Sequence, residues 1–195
     1  MQRHSRGSLF NGQYCGFERG YADNFSQNME YAMNDLRLKN ALVQVLESEQ
    51  NVSLGLEKIT ALLKSEQDGF DWVGFYFNDF ENEVLCLGPF SGEETEHQRI
   101  PFGRGICGQV AQSGKSFLVA DVSEESNYLA CSLATKSEIV VPLYLGERAI
   151  GQLDIDSHQK ARFGAGEEAF LTDLCALIAA QYGAALEEYR QDLVG

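Results

Sequence analysis

The sequence predicts an α+β domain, an antiparallel sheet with helices concentrated at the two ends of the chain. Two observations carry this. Apolar residues recur every three to four positions near both ends and every two positions in between. The extended segments also pair as hairpins across short turns.

The elements follow in order. The 195 residues suit one domain, or one domain with an appendage. Residues 1–20 are rich in Gly and Ser, lack periodicity and read as a flexible leader, leaving 21–195 as a single domain. From about Asn28 to Lys64 the pattern is helical. Leu38, Leu42, Val45 and Leu46 form one stripe; beyond a break at Asn51, Val52, Leu56, Ile59 and Leu63 form another. Ser53 stands where an N-cap is expected, with Glu57 close behind. The period then falls to two. Asp71 to Phe77 is aromatic and extended, Asn78 to Asn82 is turn-like, and Val84 to Gly88 returns as a second strand. Ser116 to Asp121 is a further strand. Glu138 to Leu145, the turn Gly146-Glu147 and Arg148 to Asp156 make the clearest hairpin, since Gly suits the first position of a tight turn. Phe170, Leu174, Leu177, Ile178, Tyr182 and Ala185 then mark one helix over roughly Gly166 to Arg190.

Charge narrows the classes of function. Fifteen Lys and Arg against 29 Asp and Glu give a net charge of −14. Such a surface repels nucleic-acid phosphates and anionic lipid. Apolar runs such as Ala176 to Ala180 fall far short of a membrane span. The first 20 residues hold no apolar core of a secretory signal, and the expected compartment is the cytoplasm. The five cysteines, Cys15, Cys86, Cys107, Cys131 and Cys175, are odd in number and include no CxxC pair, so thiols are the default. His4, His97 and His158 lack ligand spacing, so no metal site is expected. Gly103-x-Gly105 is an incomplete dinucleotide fingerprint, and no cofactor is expected.

Three features carry candidate chemistry. Between Ile100 and Val110, three glycines crowd Cys107 just before a short helical pattern. A helix N-terminus favours the thiolate, although a buried inert cysteine gives the same pattern. Cys131 lies in a loop of small and polar residues before a strand, an environment that suits an exposed, reactive thiol or a small space-filling residue. Asp154 and Asp156, two apart on a strand, share a face, and Glu138 opens the partner strand. Together these acids raise one another's pKa, which makes a proton donor near neutrality, and they suit a ligand ammonium. Solvated acids at strand ends are the plainer alternative. Cys86 and Cys175 fall at core positions.

The blocks Asp71 to Tyr76, Leu87 to Phe90, Arg99 to Gly108, Leu129 to Cys131, Ser137 to Leu143 and Gly151 to Ser157 resemble, in order and spacing, the GAF-domain free methionine-(R)-sulfoxide reductases. The likeness runs from about residue 25 to 185. It implies a GAF-like six-stranded antiparallel sheet, with helices from both chain ends on one face and a lidded pocket on the other. It implies reduction of free L-methionine-(R)-S-oxide, with Cys131 as nucleophile and Cys107 as the resolving thiol. The route would pass through a sulfenic acid and an intramolecular disulfide recycled by thioredoxin. Trp72 and Tyr76 match the aromatic wall of the substrate site, and Glu138, Asp154 and Asp156 match its acidic cluster. A homodimer is common in the family. Two positions depart from its pattern: His97 stands where many members have another cysteine, and Ser132 where many have Asp after the nucleophile. A GAF sensor without turnover and a thiol switch responding to peroxide are the alternatives. The Cys107–Cys131 pair separates an enzyme from a sensor, and saturable kinetics with the sulfoxide separates it from a switch.

Overall fold

The structure is a computed structural model that describes residues 36–125, 127, 129 and 134–195. The expected leader, Cys15, the start of the first helix, Cys131 and Ser132 lie outside the described residues. The chain divides between Asn40 and Ala41 into two units. The sheet and the helices after residue 48 belong to the second.

Helix α1 is described over residues 36–48, with Leu42 and Leu46 buried. Helix α2, Val52–Glu66, starts one residue after Asn51, whose side-chain oxygen accepts the Leu54 N–H at 3.0 Å. Asn51, rather than the expected Ser53, is therefore the N-cap. Its extended backbone lets the carboxamide reach the third helical N–H, whereas Ser53 already lies inside the first turn. Leu56, Ile59 and Leu63 are fully buried, as the apolar stripe predicts.

Six strands follow: β1 (Trp72–Asp79), β2 (Val84–Ser91), β3 (Arg99–Pro101), β4 (Phe117–Val119), β5 (Ser137–Leu145) and β6 (Arg148–Ser157). They form one antiparallel sheet in the order β3-β2-β1-β6-β5-β4. The two expected hairpins are β1–β2 and β5–β6. Strand β3, the sixth that the resemblance implies, has no signal in the periodicity, because three residues are too few to show a period. Strand β2 runs on past Gly88 and Pro89, and its register with β1 shifts between Gly74 and Tyr76. Helix α3, Gly105–Ser113, lies between β3 and β4.

Side chains alternate across the sheet. Val73, Phe75 and Phe77 of β1, Ile139 and Val141 of β5, and Ile155 of β6 share one face and are fully buried beneath α2, α4 and α5. Trp72, Tyr76 and Val140 point to the other face. There they pack with Leu85, Ile106 and Val110 under α3, which contacts β5 and β6. The fold thus has a second apolar layer, and the chemistry lies within it.

The expected single C-terminal helix is two: α4 (Ala165–Tyr182) and α5 (Ala184–Val194), bent by 96°. Gly183, at φ 50° and ψ −122°, breaks the helix in a conformation that residues with a Cβ avoid. The apolar period continues through the break, which is why the sequence reads as one element. Among the described residues no single helix is long and apolar enough to cross a membrane. Cys86 and Cys175 are buried, as expected, and burial pushes the Cys175 thiol up to about 12.

Candidate active site

Strand register assembles the site. Trp72 pairs with Asp156 and Gly74 with Asp154 across β1–β6. Glu138 pairs with Asp156 and Val140 with Asp154 across β5–β6. Trp72, Glu138, Asp154 and Asp156 therefore occupy adjacent positions on one face. Two backbone bonds fix the strand ends beside them: Asp71 N–H to the Asp156 carbonyl at 2.9 Å, and Lys136 N–H to the Ser157 carbonyl at 2.7 Å.

Cys107 reaches this face from above. Gly105 opens α3 with φ 65°, which favours glycine, and Cys107 sits in the first helical turn, as its motif suggested. Its Sγ donates to Asp154 Oδ2 at 3.1 Å and lies 3.9 Å from Glu138 Oε1. All three side chains are buried. Their donor atoms lie within 4.8 Å of one another, a mixed thiol–carboxylate set that the scattered histidines did not foreshadow. Here they are held together by the thiol's hydrogen bonds.

The carboxyls are electrostatically unusual. Burial, followed by the charges of Asp154 and Asp156, pushes Glu138 well above the ordinary carboxylate range. Burial raises Asp154 to about 7, and the bond from Cys107 opposes the rise. Burial and then the Asp154 and Asp71 charges raise Asp156, while the nearby Thr135 hydroxyl offsets part of this. Apart from that hydroxyl, neither carboxylate oxygen of Asp156 meets a hydrogen-bond donor among the described residues, and Asp154 Oδ1 meets none. A buried carboxyl without partners keeps its proton unless a cation arrives.

The aromatic side of the site is closely packed. Trp72 stacks on Phe90 at 5.6 Å between ring centroids and lies 6.2 Å from Tyr76. Its Nε1–H donates to the Glu93 carbonyl at 3.1 Å. Tyr76 O–H donates to the His97 carbonyl at 3.0 Å, so His97 meets the aromatic wall through its backbone. Two glycines make room for the indole: a Cβ at Gly74 would stand 2.2 Å from Trp72, and one at Gly92 2.3 Å. Gly74→Ala is therefore expected to displace the ring and lower stability by about 1–3 kcal/mol. Trp72 is the only tryptophan, so its emission maximum and the denaturant midpoint both report the change. Unaltered emission and midpoint would contradict the packing described.

A cavity of about 440 Å³ opens beside this wall, lined by Lys64, Asp71, Trp72, Gly92, Glu93, Glu94, Thr135, Asp156 and His158. Of the expected site residues, Trp72 and Asp156 line it, while Glu138 and Asp154 lie against Cys107. Lys64, Asp71 and His158 carry no site pattern in the sequence. Asp71 precedes β1 and His158 follows β6, so the β1–β6 pairing brings them together: His158 N–H donates to Asp71 Oδ2 at 2.7 Å, and His158 Nδ1 lies 3.5 Å from Oδ1. Only the strand register reveals that neighbourhood.

The GAF domain family matches residues 39–182. Free methionine-R-sulfoxide reductase of Escherichia coli is 39% identical over 121 residues, which are 62% of this chain and 72% of that protein. The Saccharomyces cerevisiae protein of the same name is 33% identical over 180 residues, 86% of this chain and 96% of that one. The chain belongs to the GAF-domain free methionine-(R)-sulfoxide reductase family. Among solved structures, the reductase from Neisseria meningitidis in complex with its substrate superposes with a TM-score of 0.71 at 36% identity, covering 77% of this chain and 91% of that one. In this member of the reductase family, one sheet face carries Trp72, Tyr76, Glu138, Asp154 and Asp156, and α3 adds Cys107. Cys131 lies outside the described residues, and with it the separation of the two thiols.

Proposed function

We propose that the protein reduces free L-methionine-(R)-S-oxide to methionine. The observation that supports this most is the buried contact of the Cys107 thiol with Asp154 and Glu138, on the sheet face that also carries Trp72. A thiol, carboxyls that hold protons near neutrality and an aromatic wall are what sulfoxide reduction by cysteine needs.

The cavity suits a small zwitterion. Asp156 brings a carboxyl that only the Thr135 hydroxyl approaches among the described residues, which suits an α-ammonium, and Trp72 supplies an apolar wall for the methyl end. Lys64 lines a cavity with four acids, and its ammonium, with the His158 ring beside it, complements an α-carboxylate. A peptide-bound methionine has no free ammonium and loses the Asp156 interaction.

The chemistry then runs in three steps. A sulfoxide oxygen leaves poorly unless protonated, and Glu138, neutral through burial, supplies the proton. The Cys131 thiolate attacks the sulfoxide sulfur, the protonated oxygen passes to the Cys131 sulfur as the new S–S bond and the methionine S–O bond break, methionine departs, and Cys131 is left as a sulfenic acid. Cys107 closes a disulfide with Cys131 and water is released. Thioredoxin then reopens the bond by thiol–disulfide exchange.

The test is methionine formation from the R and S epimers of the free sulfoxide, and from an N-acetylated R-sulfoxide, with dithiothreitol as reductant. Turnover confined to the free R epimer is expected. Binding without turnover would favour a sensor, and equal turnover of all three compounds would contradict the ammonium site. Lys64→Ala is expected to raise KM about 3- to 10-fold, a loss of roughly 1 kcal/mol, and to leave kcat unchanged. A lowered kcat with unchanged KM would place the substrate elsewhere.

A further inference from the structure

We propose that Asp154 is the base that removes the proton from Cys107 when this thiol closes the disulfide with Cys131. The inference rests on the reductase reading and assigns one of the three carboxylates a separate step.

The geometry distinguishes the three acids. Asp154 Oδ2 is 3.1 Å from Cys107 Sγ and accepts its hydrogen bond, whereas the nearest Glu138 oxygen is 3.9 Å away. No bond joins Asp156 to the sulfur, and Asp156 faces the cavity. Cys107 is 4% exposed and Asp154 is not exposed at all, so bulk water is a poor acceptor for this proton. The thiol must nevertheless ionise, because the thiolate is the nucleophile. Its position in the first turn of α3 favours the negative sulfur once formed. Burial holds Asp154 near 7, so close to neutrality it is ionised often enough to accept a proton and basic enough to keep it.

The step balances. The Cys107 S–H bond breaks and its proton passes to Asp154. The thiolate attacks the Cys131 sulfur, an S–S bond forms and the Cys131 S–O bond breaks. Hydroxide leaves and takes the proton back from Asp154 as water. The oxidising equivalent is the oxygen acquired from the sulfoxide in the preceding step.

The roles separate in a single turnover without added reductant. Reduced native protein, Asp154→Asn and Glu138→Gln are each mixed with one equivalent of the R-sulfoxide, and methionine and remaining thiols are counted over time. For Asp154→Asn, methionine release is expected to slow far less than disulfide closure does. Disulfide closure is expected to slow on the order of 100-fold, with a Cys131 sulfenic acid trapped by dimedone. For Glu138→Gln the pattern reverses: slow release, then prompt closure. Closure at the native rate in Asp154→Asn, or equal slowing of both steps, would overturn the assignment. If native protein releases no methionine, the reductase reading fails by itself. Hydrogen peroxide then oxidises Cys131 directly, and the same comparison of closure rates still decides the role of Asp154.

Discussion

Asp154→Asn is expected to stabilise the protein at pH 8, by up to about 4 kcal/mol, and to leave stability at pH 4 nearly unchanged. The carboxyl is raised from 3.8 to about 7 by burial, and each unit corresponds to about 1.4 kcal/mol. Because the folded pKa is the higher one, the folded state binds the proton more tightly than the unfolded chain. The native protein is therefore free of this penalty below about pH 4. It loses stability as pH rises from there to about 7, and carries the full penalty above. Asparagine has no proton to lose. Its neutrality also relieves Glu138 and Asp156, which the Asp154 charge pushes up. Denaturant midpoints at the two pH values check this. Destabilisation at pH 8 would show a carboxylate held ionised by a partner, and an equal shift at both would show that the carboxyl titrates alike in the folded and unfolded chain. A stabilised Asp154→Asn with slow disulfide closure would be a functional loss that misfolding does not explain.

The second large effect concerns the thiols. Cys131→Ser is expected to lower turnover at least 1000-fold with any reductant, because a hydroxyl cannot take the sulfoxide oxygen as a thiolate does. Cys107→Ser is expected to keep one methionine per chain in a single turnover, yet to fall on the order of 100-fold with thioredoxin, since no disulfide forms for thioredoxin to open. Dithiothreitol, small enough to reach a sulfenic acid, is expected to restore much of that loss. If Cys107→Ser turns over normally with thioredoxin, another thiol resolves the intermediate; Cys86 and Cys175 are buried in the core.

Much of this was legible in the sequence. Period two gave the two hairpins, and with them the shared face of Asp154, Asp156 and Glu138. The Gly-rich block placed Cys107 at a helix start. What was hidden depends on contacts between distant segments. Gly183 breaks a helix whose apolar period continues unbroken, so only the backbone angle reveals it. Strand β3 pairs with β2 over three residues and has no pattern of its own. The contact of Cys107 with Asp154 joins residues 47 apart, and the cavity lined by Lys64, Asp71 and His158 exists only once α2, β1 and β6 are in place.

The central claim is that two cysteines and a buried carboxyl cluster carry one sulfoxide oxygen away as water. It is tested most directly by mixing reduced protein with one equivalent of free L-methionine-(R)-S-oxide, without reductant, and mapping the product by mass spectrometry. The account predicts one methionine per chain, three of the five thiols remaining, and a Cys107–Cys131 crosslinked peptide. Five thiols and no methionine would contradict it.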